Sequence, residues 1–228
     1  MRWSSVIAVI TALITSAVAS QATTWSVPEA GTLSEVVETY ADGDTILLSA
    51  GRHAVQLDVR DGRGLILIGE DRETTFLIGL NEIEPVLRID AMRRPVVLRN
   101  LTFDRQDEGS VYTTILTRAQ LTVDNCSFWG GAASLVDSCE GTWTNCDFQG
   151  CFDGVNLRNS PMTIQNNIFE NTQQYAIITR GSEAKIYNNQ FNRSTQASII
   201  VTGKRRFPVI GGSPGKGNIF LQHTMYTV

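Results

Sequence analysis

The sequence predicts an all-β chain, a single-stranded parallel β-helix of about seven coils with a short helix capping its N-terminal end. Three observations lead there. A phrase ending in Phe recurs as Asn100-Leu-Thr-Phe103, Asn125-Cys-Ser-Phe128, Asn145-Cys-Asp-Phe148, Asn166-Asn-Ile-Phe169, Asn188-Asn-Gln-Phe191 and Gly217-Asn-Ile-Phe220, with starts 25, 20, 21, 22 and 29 residues apart. Self-similarity at such a period marks stacked supersecondary units. Between the copies, apolar residues alternate over very short runs, as in Met162-Thr-Ile164 and Lys185-Ile-Tyr187, which is the pattern of strands. Three such strands in ~22 residues leave no room for a helical crossover, so the chain must wind as a coil whose strands pair with those of the next coil.

The elements follow in order. Met1-Arg-Trp3 carries one positive charge, Val6 to Val18 is mostly apolar, and small residues come next. This reads as a signal peptide over residues 1–22, cleaved after Ala19 or Ala22, and gives a secreted or periplasmic product. The run is too short for a comfortable membrane span, and no later segment approaches the ~20 apolar residues that one needs. The β-helix domain takes up 23–228. Its capping helix, 32–40, opens with the capping box Thr32-Leu-Ser-Glu35 and turns Leu33, Val36, Val37 and Tyr40 to one face. Strands are expected at Thr45 to Leu48, Val55 to Val59, Leu65 to Ile68, Thr75 to Ile78, Val86 to Ile89 and Val96 to Arg99.

In the repeats, Asn100, Asn125, Asn145, Asn166 and Asn188 are expected at sharp corners. Asn tolerates a left-handed backbone better than other non-glycine residues. These amides are expected to be buried and to bond to one another as a structural ladder. The Phe three residues later is expected to face inward. Cys126 and Cys146 share a slot on consecutive coils, which suits either a disulfide or two buried thiols; Cys139 and Cys151 are not expected to pair. The chain stops at Met225-Tyr-Thr-Val228 in a strand-like run without a polar cap, and an open coil end invites self-association.

Composition narrows the partners. Nineteen basic residues stand against 23 acidic ones with no block of like charge, which leaves no electrostatic footprint for nucleic acid. His53 and His223 are the only histidines and lie near opposite ends, so no metal site is expected.

The repeats, together with Gly43-Asp-Thr-Ile-Leu-Leu-Ser-Ala-Gly51, Leu65-Ile-Leu-Ile-Gly-Glu70 and Ile210-Gly-Gly-Ser-Pro-Gly-Lys-Gly-Asn-Ile-Phe220, resemble the pectate-lyase-like superfamily and its carbohydrate-binding and sugar-hydrolase repeats. The resemblance implies right-handed winding. It puts the Asn corner between the second and third strands of a coil, so that first strands fall at Thr113 to Thr117, Ala133 to Asp137, Asp153 to Leu157, Tyr175 to Thr179 and Ala197 to Val201. It also implies a polysaccharide or oligosaccharide cleft along the outer face of that first strand.

On this alignment Ile115, Leu135, Val155, Ile177 and Ile199 point inward, while Leu116, Val136, Asn156, Ile178 and Ile200 form an outward apolar column. A further outward column holds Arg118, Ser138, Arg158, Arg180 and Thr202. Arginine forks match carboxylates, so an acidic glycan is favoured, with Arg118, Arg158, Arg180, Asn156 and Tyr175 binding substrate. Asp153 and Arg158 are the candidate catalytic pair of a lyase-like or hydrolase-like enzyme, and only a lyase would call for calcium. The Asp-Pro-His-Asp motif of alginate epimerases and the paired aspartates of pectin esterases and polygalacturonases are missing from the sequence. An enzyme and a non-catalytic module, docking protein partners through the first-strand face or the open C-terminal coil, both fit this sequence.

Overall fold

A computed structural model describes residues 22–105, 111–203, 206–212 and 215–221. The expected signal segment, apart from Ala22, and the terminal run from Met225 lie outside the described residues. The fold is an all-β parallel solenoid of about eight turns of right-handed type, one more than the sequence suggests. Among the described residues every strand pairing is parallel, and the strands sort into three sheets of seven, nine and eight members. Each coil contributes one strand to each sheet. In the coil that carries Phe128, these strands are Tyr112–Thr117, Gln120–Asp124 and Ser127–Trp129.

The N-terminal end is closed as expected. The helix Leu33–Thr39 has Thr32 as its N-cap; the Thr32 Oγ1 accepts from the Glu35 amide, and the Glu35 carboxylate accepts from the Thr32 amide. Leu33, Val36 and Val37 are buried, laying the helix over the first coil. Tyr40 follows it into the core and donates its hydroxyl to Gly64 O at 2.7 Å. Burial pushes that phenol up to about 12. No helix among the described residues is long and apolar enough to cross a membrane.

Inside the coils, Phe103, Phe128, Phe148, Phe169, Phe191 and Phe220 form one stack with centroids 4.4–5.1 Å apart and planes within 14° of parallel. Burying each of the five fully enclosed rings contributes about 1.5–3 kcal/mol, so the stack is a principal source of stability. Trp143 packs into it, tilted against Phe128 and Phe148.

The Asn corner follows expectation in backbone but not in burial. Asn100, Asn125, Asn145, Asn166 and Asn188 all have φ between 52° and 57°, the left-handed region. Yet Asn145, Asn166 and Asn188 are exposed, and Asn100 and Asn125 only half-buried. The left-handed turn directs these side chains outward and buries the next residue instead. That residue is Leu101, Cys126, Cys146, Asn167 or Asn189 in successive coils, with the half-buried Asn218 next in line, and the internal amide ladder runs through Asn167, Asn189 and Asn218. Asn167 Nδ2 donates to Asn189 Oδ1 at 3.0 Å, and Asn189 Nδ2 to Asn218 Oδ1 at 3.1 Å. Each Oδ1 also accepts the backbone N–H of the preceding coil, as Asn167 Oδ1 does from Cys146 at 2.9 Å. Among the expected ladder residues, only Asn125 and Asn100 bond amide to amide, at 2.9 Å.

All four cysteines are free and buried. Cys126 and Cys146 take the two-thiol alternative, with the Cys126 amide 3.4 Å from Cys146 Sγ. Burial pushes the Cys139 thiol up to about 11 and that of Cys151 to about 12.

Candidate functional site

The first-strand sheet runs through Leu57–Val59, Leu87–Asp90, Tyr112–Thr117, Ala132–Asp137, Val155–Arg158, Tyr175–Arg180 and Ala197–Thr202. Its register corrects the alignment of half the face. Ile115 pairs with Leu135, Leu135 with Asn156, Asn156 with Ile178, and Ile178 with Ile200. That is the outward column. Leu116 and Val136, expected outside, are fully buried in the core, and Ile115 and Leu135 take their places.

The cause is one extra residue in a turn. Ser134 follows Phe128 by six residues, whereas its partner Val155 follows Phe148 by seven. With side chains alternating every residue, a slip of one exchanges the two faces of a strand.

The same slip separates Arg118 from the other arginines. The column is Asp90, Thr117, Asp137, Arg158, Arg180 and Thr202. Arg118 instead sits at the corner that follows, with φ 49°, and its guanidinium is ion-paired to Asp90 through both Nε and Nη2. Those hydrogen bonds hold the Asp90 carboxyl below the usual carboxylate range. Arg118 is therefore committed within the protein and does not extend the arginine pair.

Arg158 and Arg180 are nearest neighbours across one strand spacing, about 4.8 Å. Neither has a carboxylate within ion-pairing distance among the described residues, although Arg52, Arg60, Arg63, Arg72, Arg94 and Arg99 each have one. Asp137 stands opposite Arg158 in register, but its Oδ1 accepts the Ser138 hydroxyl at 2.9 Å. Arg158 Nε is buried with no partner, and Arg180 is exposed.

Between the arginines and the start of the strands lies Asn156, only 1% exposed although it faces outward. Its Nδ2 donates to the Tyr112 hydroxyl at 2.6 Å, a contact that passes over one intervening coil and that no local pattern signals. Its Oδ1 is buried without a partner, so an acceptor and the Arg158 donor stand unsatisfied on one patch.

Asp153 precedes its strand and accepts the Tyr175 amide at 3.2 Å. Tyr175 is half-buried beside it. Burial raises the Asp153 carboxyl, a larger effect than the opposing ones of that hydrogen bond and of the Arg180 charge. Asp153 and Arg158 stand at opposite ends of Val155–Arg158, a strand about 10 Å long, so the backbone does not bring the two candidate catalytic groups together. Among the described residues there is no group of three or more His, Cys, Asp or Glu able to hold a metal ion.

Neither a curated protein nor a solved structure matches the chain. One family model does, the one described as Adenovirus EB1 55K protein / large t-antigen, over residues 62–208. That span is more than half of the chain and takes in the first-strand face from Arg88 to Thr202, and the chain accordingly belongs to this family.

Proposed function

We propose that the protein is an exported β-helix module that binds an acidic polysaccharide or oligosaccharide along its first-strand face. The observation that carries this reading is the adjacency of Arg158 and Arg180 with no ion-pairing carboxylate among the described residues. Like charges on directly opposed strand positions destabilise a sheet, and a carboxylate-bearing ligand relieves that repulsion while supplying the acceptors that two guanidinium forks lack. The pectate-lyase-like resemblance supports the choice of face, and the signal-like segment over residues 1–22 supports export. The separation of Asp153 from Arg158 supports binding over turnover.

The test is binding of an oligogalacturonate to the wild type and to Arg158→Ala and Arg180→Ala. Each variant is expected to lose about ten-fold or more in affinity, the scale of one charged hydrogen-bonded contact, and added salt should weaken the wild type. Unchanged binding in both variants would refute the reading.

The half-buried apolar members of the outward column, Ile115, Leu135 and Ile200, favour a second reading, in which the same face docks another protein. Concentration-dependent association that is abolished by Ile200→Lys and indifferent to oligogalacturonate would support that reading over the first.

A further inference from the structure

The third-strand sheet carries a different surface. Its outward register runs Ile78, Asp104, Trp129, Gln149, Glu170 and Asn192, each one strand spacing, about 4.8 Å, from the next. Trp129 is 37% exposed, whereas Trp143 is fully buried. The Trp129 ring leans on Phe76 at 5.7 Å, and the Arg52 guanidinium caps Phe76 at 5.3 Å, so the indole is held in place from beneath.

One rung away, the Asp104 side chain is 8% exposed; its Oδ2 accepts from Arg52 Nη2 at 2.9 Å, and its Oδ1 has no hydrogen-bond partner among the described residues. On the other side, the exposed Gln149 amide is likewise without a side-chain partner there. A cavity of about 470 Å3 opens beside this row, lined by Ile78, Gly79, Leu80, Asn81, Glu82, Asp104 and Arg105.

We infer that this face is a second saccharide site, for a neutral sugar chain, seated on Trp129 and hydrogen-bonded by Asp104 and Gln149. Pyranose rings present an apolar C–H face and a rim of hydroxyls. A fixed aromatic ring between a carboxylate acceptor and an exposed amide offers the complementary arrangement, and the adjoining cavity, which shares Asp104 with this row, has the size of a small-ligand pocket. The donors here are already engaged. Asp104 is ion-paired with Arg52, and the Arg105 guanidinium donates to the backbone carbonyls of Glu82 and Glu84, so among the described residues neither arginine offers an open fork to an acid group, which favours a neutral ligand. The site stands on a different sheet from Arg158 and Arg180 and does not depend on them.

The experiment is calorimetric and tryptophan-fluorescence titration with cellohexaose, maltohexaose and laminarihexaose beside hexagalacturonate. It is run on the wild type, Trp129→Ala, Trp129→Phe, Asp104→Asn and Arg158→Ala. At least one neutral hexasaccharide is expected to bind and shift the Trp129 emission. Trp129→Ala should weaken it about 10-fold, Trp129→Phe should recover part of that loss, and Arg158→Ala should leave it within about two-fold. Trp129 lies outside the core, so thermal melts of its variants should match the wild type and separate a binding defect from misfolding. The inference falls if no neutral hexasaccharide binds, or if binding survives Trp129→Ala unchanged. Hexagalacturonate binding that is lost only in Arg158→Ala, with no neutral ligand bound, would overturn this site and leave the acidic-glycan reading standing.

Discussion

Replacing Asn167 by Ala removes one rung of the internal amide ladder while leaving the left-handed corner untouched. Asn167 is 1% exposed, accepts the Cys146 amide at 2.9 Å, and donates to Trp143 O and Asn189 Oδ1, each at 3.0 Å. The Cys146 N–H would be left buried without an acceptor, which costs about 1–3 kcal/mol, and the two lost donor bonds add about 0.5–1.5 kcal/mol each. The expected destabilisation is therefore about 3 kcal/mol, a fall in melting temperature of about 6–12 °C for a domain of this size.

The neighbouring substitution Asn166→Ala touches an exposed side chain, and its cost is the left-handed strain of alanine at φ 57°, about 1 kcal/mol. Asn166→Gly removes that strain and should be close to neutral. Circular dichroism melts and urea titrations of the three variants decide the matter. A larger loss in Asn166→Ala than in Asn167→Ala would refute the assignment of the ladder to the second asparagine.

Other consequences are open to measurement. A Cβ at Gly154 would lie 2.2 Å from Ala176 O and 2.9 Å from a Phe169 ring carbon, so Gly154→Ala should destabilise by about 3 kcal/mol in the same melts, and a neutral result would contradict the close approach of these coils. The Asp153 carboxyl is raised by burial, so the native state holds its proton at a pH where the unfolded chain has released it. That burden is absent below the ordinary carboxylate range and complete above the raised value, and Asp153→Asn should therefore stabilise at neutral pH but not in acid. Asp90, lowered by Arg118, has the opposite sign: its stabilisation is present at neutral pH and lost as pH falls through its depressed value, so Asp90→Asn should destabilise at pH 7 and converge with the wild type in strong acid. All four thiols should resist a thiol-reactive dye in the native protein and react in denaturant; rapid native labelling would contradict their burial.

The fold was legible in the sequence because the Asn-to-Phe phrase reports two physical requirements at once, a left-handed corner and an inward ring three residues later. The other two corners are just as regular in backbone, with positive φ at Arg93, Arg118, Ser138 and Asn159 between first and second strands, and at Gly130, Gly150, Asn171 and Arg193 between third and first. Their residue types change along the stack, from Arg to Ser to Asn at one and from Gly to Asn to Arg at the other, so no single repeat marks them. Burial of the ladder is hidden for a related reason: the recurring asparagine marks the corner, whereas the buried slot after it changes from cysteine to asparagine along the stack.

On the site, Asn156, Arg158 and Arg180 are brought onto one face as expected. Arg118 leaves that face because of a single inserted turn residue, which period-two alternation converts into a reversal of faces. The contact between Tyr112 and Asn156 joins residues 44 apart and needed three-dimensional register to be seen.

The register is best tested by distances along one outward column. Thr45, Ile66, Val97, Thr122, Thr142, Thr163 and Lys185 are successive partners on the second sheet. Spin labels placed by Thr45→Cys and Lys185→Cys are separated by six strand spacings and should lie about 29 Å apart. Labels at Thr122→Cys and Lys185→Cys, separated by three, should lie about 14 Å apart. Pulsed electron–electron resonance on the first pair and line broadening on the second should recover this two-to-one ratio. Distances that ignore the count of coils would contradict the stacking from which every contact described above follows.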